Sequence, residues 1–220
     1  MTTIPANDPT QLSVRELIAL YARKALSPVD VVQATLTRIE RMNPLVNAYC
    51  HLDADGALAA AGAAEARWLA GVPRGLLDGV PLGVKDNIAV AGMPLRFGSR
   101  LTGEAPVTFD APVVARLREQ GAIVIGKTAM PEFGWKATSD SPLTGSTRNP
   151  WDTRMTTGGS WRVRRRRQCW GWAPCSLVPT AAARSEFPPP LPAATASSPR
   201  AHGCPPSRPL RSAPWRTTDR

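Results

Sequence analysis

Two residues in contrasting settings could do chemistry in this chain. Lys85 follows the apolar run "GVPLGV" (79–84). A sheet that buries such a strand would strip water from the ammonium, lower its pKa and make the amine a usable base. The same position also suits a strand-end lysine that faces solvent or pairs with Asp86, and buried lysines are uncommon. Ser160 closes "TTGGS" (156–160), where Gly158 and Gly159 let backbone approach a substrate. That composition equally makes an ordinary surface turn. Histidine narrows the options, because His51 and His202 are the only two. His51 reads as a surface or helix-edge residue, so a Ser-His-Asp or Cys-His arrangement is hard to assemble. A nucleophilic serine here would need a lysine to activate it. The chain shows no zinc, P-loop or dinucleotide-binding pattern, so neither a metal nor a cofactor is expected.

The elements that must position these residues follow from the pattern. In "LSVRELIALYARKAL", Ser13 and Glu16 form a capping box ahead of apolar residues at helical spacing. "SPVDVVQATLTRIERMNP" starts on Ser27 as cap, Pro28 at the first helical position and Asp30 near the positive end. "DADGALAAAGAAEARWLAG" is an alanine-rich third helix ending near Gly71. The stretch 1–75 is thus expected to be helical. "GVPLGVKDNIAVAG" is a strand running into a loop, and "DAPVVARLREQGAIVIGKTAM" is a helix, a stop at Gly121 and a buried strand over "AIVIG". Strand, helix, strand argues for an α/β domain. Residues 131–160 are rich in Gly, Ser, Thr, Asn and Pro and read as loops, a common location for catalytic groups.

Three blocks in order, "LLDGVPLGVKDNIAVAGMPLRFGSR", "DAPVVARLREQGAIVIGKTAMPEFGW" and "GSTRNPWDTRMTTGGS", resemble consecutive blocks of the amidase signature family. The resemblance covers about residues 12–160. It implies an α/β/α core around a large mixed sheet, of which this chain would hold the N-terminal helices and first strands. It implies a Ser-Ser-Lys triad with Lys85 as base and Ser160 as bridging serine, acting on the carboxamide C–N bond of a small-molecule substrate. A glycine-rich loop would hold the oxyanion. No cofactor, metal, membrane or specific nucleic acid is implied, and full-length members can be homodimeric. Ala129 and Pro131 in "GKTAMPEF" stand where many tRNA-amidotransferase subunits of the family have Asn and Asp, which leans toward a stand-alone amidase.

The chain changes character after Ser160. Residues 1–160 carry 16 basic and 15 acidic side chains, whereas residues 161–220 carry 11 arginines against Glu186 and Asp219. The net charge of +10 therefore belongs to the stretch 161–220. Proline occurs 12 times before the break and 11 times after it, and Lys, Ile, Asn, Tyr and Met disappear. The family resemblance would place a nucleophilic serine about two dozen residues after Ser160, in a run like GTDGGGSIRIPAA. That run is absent in frame.

The genetic code offers a test. Joining the third base of each codon to the first two of the next, "LVPTAAARSEFPPP" (177–190) yields thirteen overlapping codons that permit GTDGGGSIRIPAA at every position. The shifted serine falls at position 184, 24 residues after Ser160, where this chain has Arg184. One base lost just after the Ser160 codon accounts for the motif and the composition together. Residues 1–160 are therefore expected to be the N-terminal part of an amidase-signature domain. Residues 161–220 are expected to be an out-of-frame, irregular basic tail, and the chain to be inactive. The alternative is a nucleic-acid-binding protein whose arm is "WRVRRRRQCW" (161–170). The four cysteines lack paired metal-ligand spacing, and residues 1–13 are polar. A cytoplasmic setting is the expectation.

Overall fold

The computed structural model of the protein describes residues 8–157 and the backbone of residues 175–177. All of them lie within a single compact unit of the chain. Three helices form where the caps place them. Helix α1 (Val14–Ala22) carries the complete capping box: the Ser13 hydroxyl accepts from Glu16 N, and Glu16 accepts from Ser13 N. Helix α2 (Pro28–Val46) starts on Ser27, whose hydroxyl accepts from Val29 N at 3.0 Å, and ends on Asn47 in the left-handed conformation. Helix α3 (Ala54–Ala70) is capped by Asp53 and closed by Gly71 at φ +73°.

One expectation for this region fails. Between α2 and α3 the chain forms strand β1 (Tyr49–Leu52), so the stretch 1–75 is not all helical and His51 lies on a strand. Four residues are too few for a periodic signal. Their conformation comes from antiparallel pairing with residues 126–128, far along the chain.

Strand β2 (Pro81–Lys85), helix α4 (Pro112–Glu119) and strand β3 (Ile123–Thr128) make the expected strand, helix, strand unit. Strands β2 and β3 are parallel and every residue of both is buried, the mark of a sheet covered on both faces. Ile123 and Ile125 of β3 pack into a cluster with Val32, Leu36 and Ile39 of α2 and Ala57 and Ala61 of α3. Val124, on the other face, joins Leu82, Val84, Val90 and Val114. The single-residue alternation of β3 thus separates two hydrophobic layers, with α2 and α3 on one side and α4 on the other. This is an α/β arrangement with the first strands of a mixed sheet.

Residues 131–157 depart from the loop expectation by forming two small hairpins. Strands β4 (Asp140–Ser141) and β5 (Gly145–Ser146) pair antiparallel, as do β6 (Arg148–Asn149) and β7 (Asp152–Thr156). Their residues are mostly exposed and polar, so no apolar alternation marks them in the sequence. Within the range expected to be irregular, Cys175–Leu177 forms strand β8, parallel to β2 and completing the sheet order β1-β3-β2-β8. Among the described residues, no helix is long and apolar enough to cross a membrane.

Candidate active site

Lys85 is the last residue of β2, at the C-terminal end of the parallel strands, the end of an open α/β sheet where ligands bind. It is only 3% exposed. Burial strips the ammonium of water and lowers its pKa. Among the described residues, none makes a hydrogen bond or ion pair with its side chain. The two other settings open to this residue, solvent exposure and pairing with Asp86, are not what the fold provides.

Asp86 is committed elsewhere. Its carboxylate accepts from Gly98 N at 2.9 Å and Arg96 N at 3.3 Å, and its own N–H donates to Thr128 O at 3.1 Å. Burial pushes this carboxyl up, against the downward pull of the two backbone donors and of the Lys127 and Arg96 charges. Asp86 therefore ties the loop at 96–98 to the end of β2, next to the lysine. A turn follows in which Ile88 N donates to Lys85 O at 3.0 Å.

That turn rests on a residue the sequence reading missed. Lys127 of β3 is completely buried, and its ammonium donates to the Ile88 carbonyl. Burial lowers its pKa, opposed by the charge of Asp86 and by the neighbouring Cys50. Lys127 is in register with Val84 and Thr128 with Lys85, so the two lysines stand on opposite faces of the sheet. The local signal was the same for both: a lysine ending an apolar strand, here in "AIVIGKT".

Gly158, Gly159 and Ser160 lie outside the described residues. The chain approaches them through Thr157, which is buried and donates its N–H to Thr147 O at 3.4 Å. His51 lines a cleft of about 520 Å³ together with Tyr49, Cys50, Asp86 and Arg96. No group of three His, Cys, Asp or Glu side chains among the described residues could hold a metal ion there or elsewhere. Strand β8 pairs Leu82, Gly83 and Val84 with Cys175, Ser176 and Leu177. Leu177, the last residue of β8, is thus in register one residue short of Lys85.

The chain is similar to known proteins in sequence and fold. Residues 30–160 match the family model described as Amidase. Over 153 residues the chain is 42% identical to the A subunit of the glutamyl-tRNA(Gln) amidotransferase of Salinispora arenicola, covering 70% of this chain and 31% of that one. Its fold superposes on the native peptide amidase of Stenotrophomonas maltophilia with a TM-score of 0.67 and 31% identity, over 73% of this chain and 34% of the other. A bacterial aryl acylamidase of the amidase signature family gives a TM-score of 0.68 at 29% identity, over 74% and 34%. The chain spans about a third of the length of these relatives. With the buried lysine at the end of β2 inside the matched stretch, the chain belongs to the amidase signature family.

Proposed function

We propose that this chain carries the basic half of an amide C–N hydrolase, with Lys85 as the base. The carrying observation is the setting of Lys85: buried at the functional end of a parallel strand, lowered in pKa, and without a described hydrogen-bond acceptor. A neutral Lys85 takes the proton of the Ser160 hydroxyl, and Ser160 takes that of a second serine. The second serine's oxygen bonds to the amide carbon, and the C–N bond breaks as Ser160 gives its proton to the departing nitrogen and is reprotonated by the Lys85 ammonium. Water then hydrolyses the acyl ester. Gly158 and Gly159 would let the loop backbone approach the substrate, and backbone N–H groups of the following glycine-rich run would stabilise the oxyanion.

In this chain position 184 holds Arg184, which cannot be acylated in this way, so the chain itself is expected to be inactive. The course of β8 supports the frame argument. Leu177 is the first residue of the segment whose shifted codons permit GTDGGGSIRIPAA, and it lies beside Val84. A loop of that composition leaving the sheet there would bring its serine to the Lys85 end.

The experiment is to insert one base after the Ser160 codon and assay the product against a primary carboxamide such as benzamide. Turnover is expected from the frame-restored protein and none from the present chain. Lys85→Ala in the restored protein should lower kcat by about a hundredfold or more, the scale of a lost general base. Robust turnover by the present chain, or a restored enzyme indifferent to Lys85→Ala, overturns the reading. Relatives that are A subunits of glutamyl-tRNA(Gln) amidotransferases, at 36–42% identity, favour glutamine as a second substrate candidate. Ala129 and Pro131 count against it. Parallel assays with glutamine and benzamide separate the two.

A further inference from the structure

The cleft of about 520 Å³ that His51 lines has no part in the catalytic reading. His51 is in register with Lys127 of β3, so it projects from the sheet face opposite Lys85. The volume falls within the range of about 300–1,000 Å³ usual for small-molecule sites. The charged donor in its lining is Arg96, whose side chain is only 15% exposed. Its Nη1 meets Glu104 at 2.8 Å, while its Nε is buried with no acceptor among the described residues. Glu104 is 85% exposed, so this ion pair reaches into water and holds weakly. A buried charged donor left unpaired carries a cost that an incoming acceptor relieves. The backbone bearing this side chain is fixed in advance. Arg96 N donates to Asp86 at 3.3 Å, and Arg96 O accepts from Ser99 N at 2.9 Å and from the Thr102 hydroxyl at 2.7 Å. The wall beside it is tied by Gly92 N to Val107 O at 2.9 Å and by Val107 N to Met93 O at 3.0 Å. Asp86 also lines the cleft, but each of its oxygens already accepts a backbone N–H.

We propose that this cleft binds a small carboxylate with an apolar body, held by the Arg96 guanidinium in exchange for Glu104. A carboxylate offers two oxygens at the spacing of the guanidinium fork, and Glu104 already shows which chemistry the fork accepts. Pro94, Pro106 and Leu143 in the lining give an aryl or alkyl group apolar surface to cover. The exchange is favourable because the departing glutamate returns to water, whereas the arriving ligand buries its body in the cleft. This site goes beyond the amide-hydrolase reading and requires nothing of Lys85.

The test titrates the full chain with benzoate at constant ionic strength and follows its backbone amides and the Arg96 Nε–H signal by heteronuclear NMR. Saturable shifts at Gly92, Arg96 and Glu104 are expected, with a Kd on the order of 1 mM. Benzyl alcohol, the same ring without the charge, should leave the Arg96 signal in place. Arg96→Gln should weaken benzoate by about tenfold or more. Glu104→Gln, at an exposed position, removes the competing carboxylate and should tighten benzoate by about two- to fivefold. A misfolded variant cannot produce that gain. The absence of saturable shifts overturns the proposal, as do shifts that survive Arg96→Gln or fall only on the arginines of the stretch 161–220. So does a Glu104→Gln variant that binds no tighter than the parent, or benzyl alcohol binding as well as benzoate. Because binding is read without turnover, a failed catalytic mechanism and a failed carboxylate site remain distinguishable.

Discussion

Lys85 and Lys127 are two lysines buried in one sheet on adjacent strands, and their surroundings divide the work between them. Lys127 has the Ile88 carbonyl as acceptor and the Asp86 charge nearby, both of which favour its ammonium. Lys85 has burial alone among its resolved influences, so its charged form is the less supported of the two. A stability consequence follows with a definite sign. The folded pKa of Lys85 lies below its unfolded value, so the unfolded chain binds more protons between the two. Stability therefore rises with pH through that window, up to the ordinary lysine range near 10.4. Lys85→Met removes the cost of burying or deprotonating the ammonium and should raise stability at neutral pH by on the order of 1 kcal/mol, with the gain shrinking as pH approaches 10. Urea unfolding of both proteins at pH 7 and pH 10 checks this; a lysine that stabilises the fold at pH 7 would show the opposite difference. The local run "GVPLGV" made a buried Lys85 conceivable, but it left pairing with Asp86 open. What closes that option is the commitment of Asp86 to the N–H groups of Arg96 and Gly98, which no local pattern reveals.

Helices α1, α2 and α3 were legible because their start and stop signals are local: Ser13 with Glu16, Ser27 with Pro28, Asp53 with Gly71. Strands β2 and β3 were legible as apolar runs broken by glycine. Strand β1 was not, because "YCHL" carries no alternation and takes its form from β3. The physical key to that pairing is Gly126 on β3. An added Cβ there would lie 2.2 Å from the His51 carbonyl oxygen and 3.0 Å from Leu52 Cα, both backbone atoms that cannot swing aside. The glycine is what lets β1 approach. Gly126→Ala should therefore push β1 off the sheet and destabilise the protein by about 2 kcal/mol or more, within the range of overpacked cores. Hydrogen exchange should show protection lost first along Tyr49–Leu52. Unchanged exchange on β1 in the alanine variant would mean that the strand is held by something other than this close approach. The same reasoning explains the missed hairpins at 140–156, whose short strands are set by turns and cross-strand bonds rather than by a buried face.

At the scale of the whole chain, charge divides the sequence at Ser160. Residues 1–160 are nearly neutral, with 16 basic and 15 acidic side chains, while 11 arginines follow in the stretch 161–220. A run such as "WRVRRRRQCW" attracts polyanions whatever its origin, because each phosphate neutralised releases condensed counterions. An evolved arm and an out-of-frame one differ in selectivity rather than in attraction. If Arg162, Arg164, Arg165, Arg166 and Arg167 each meet one phosphate of single-stranded DNA, the logarithm of affinity should fall against log salt with a slope of about −3.5. Replacing those five arginines with glutamine should remove most of that slope. Fluorescence anisotropy with several unrelated oligonucleotides gives the measurement, over salt from about 50 to about 300 mM, a range that brackets physiological ionic strength. The frameshift account expects one weak, steeply salt-dependent affinity shared by all sequences. A single sequence bound tightly at the highest salt would instead assign the tail a selected role in nucleic-acid recognition, because only contacts to bases, not to phosphates, survive screening and discriminate among sequences.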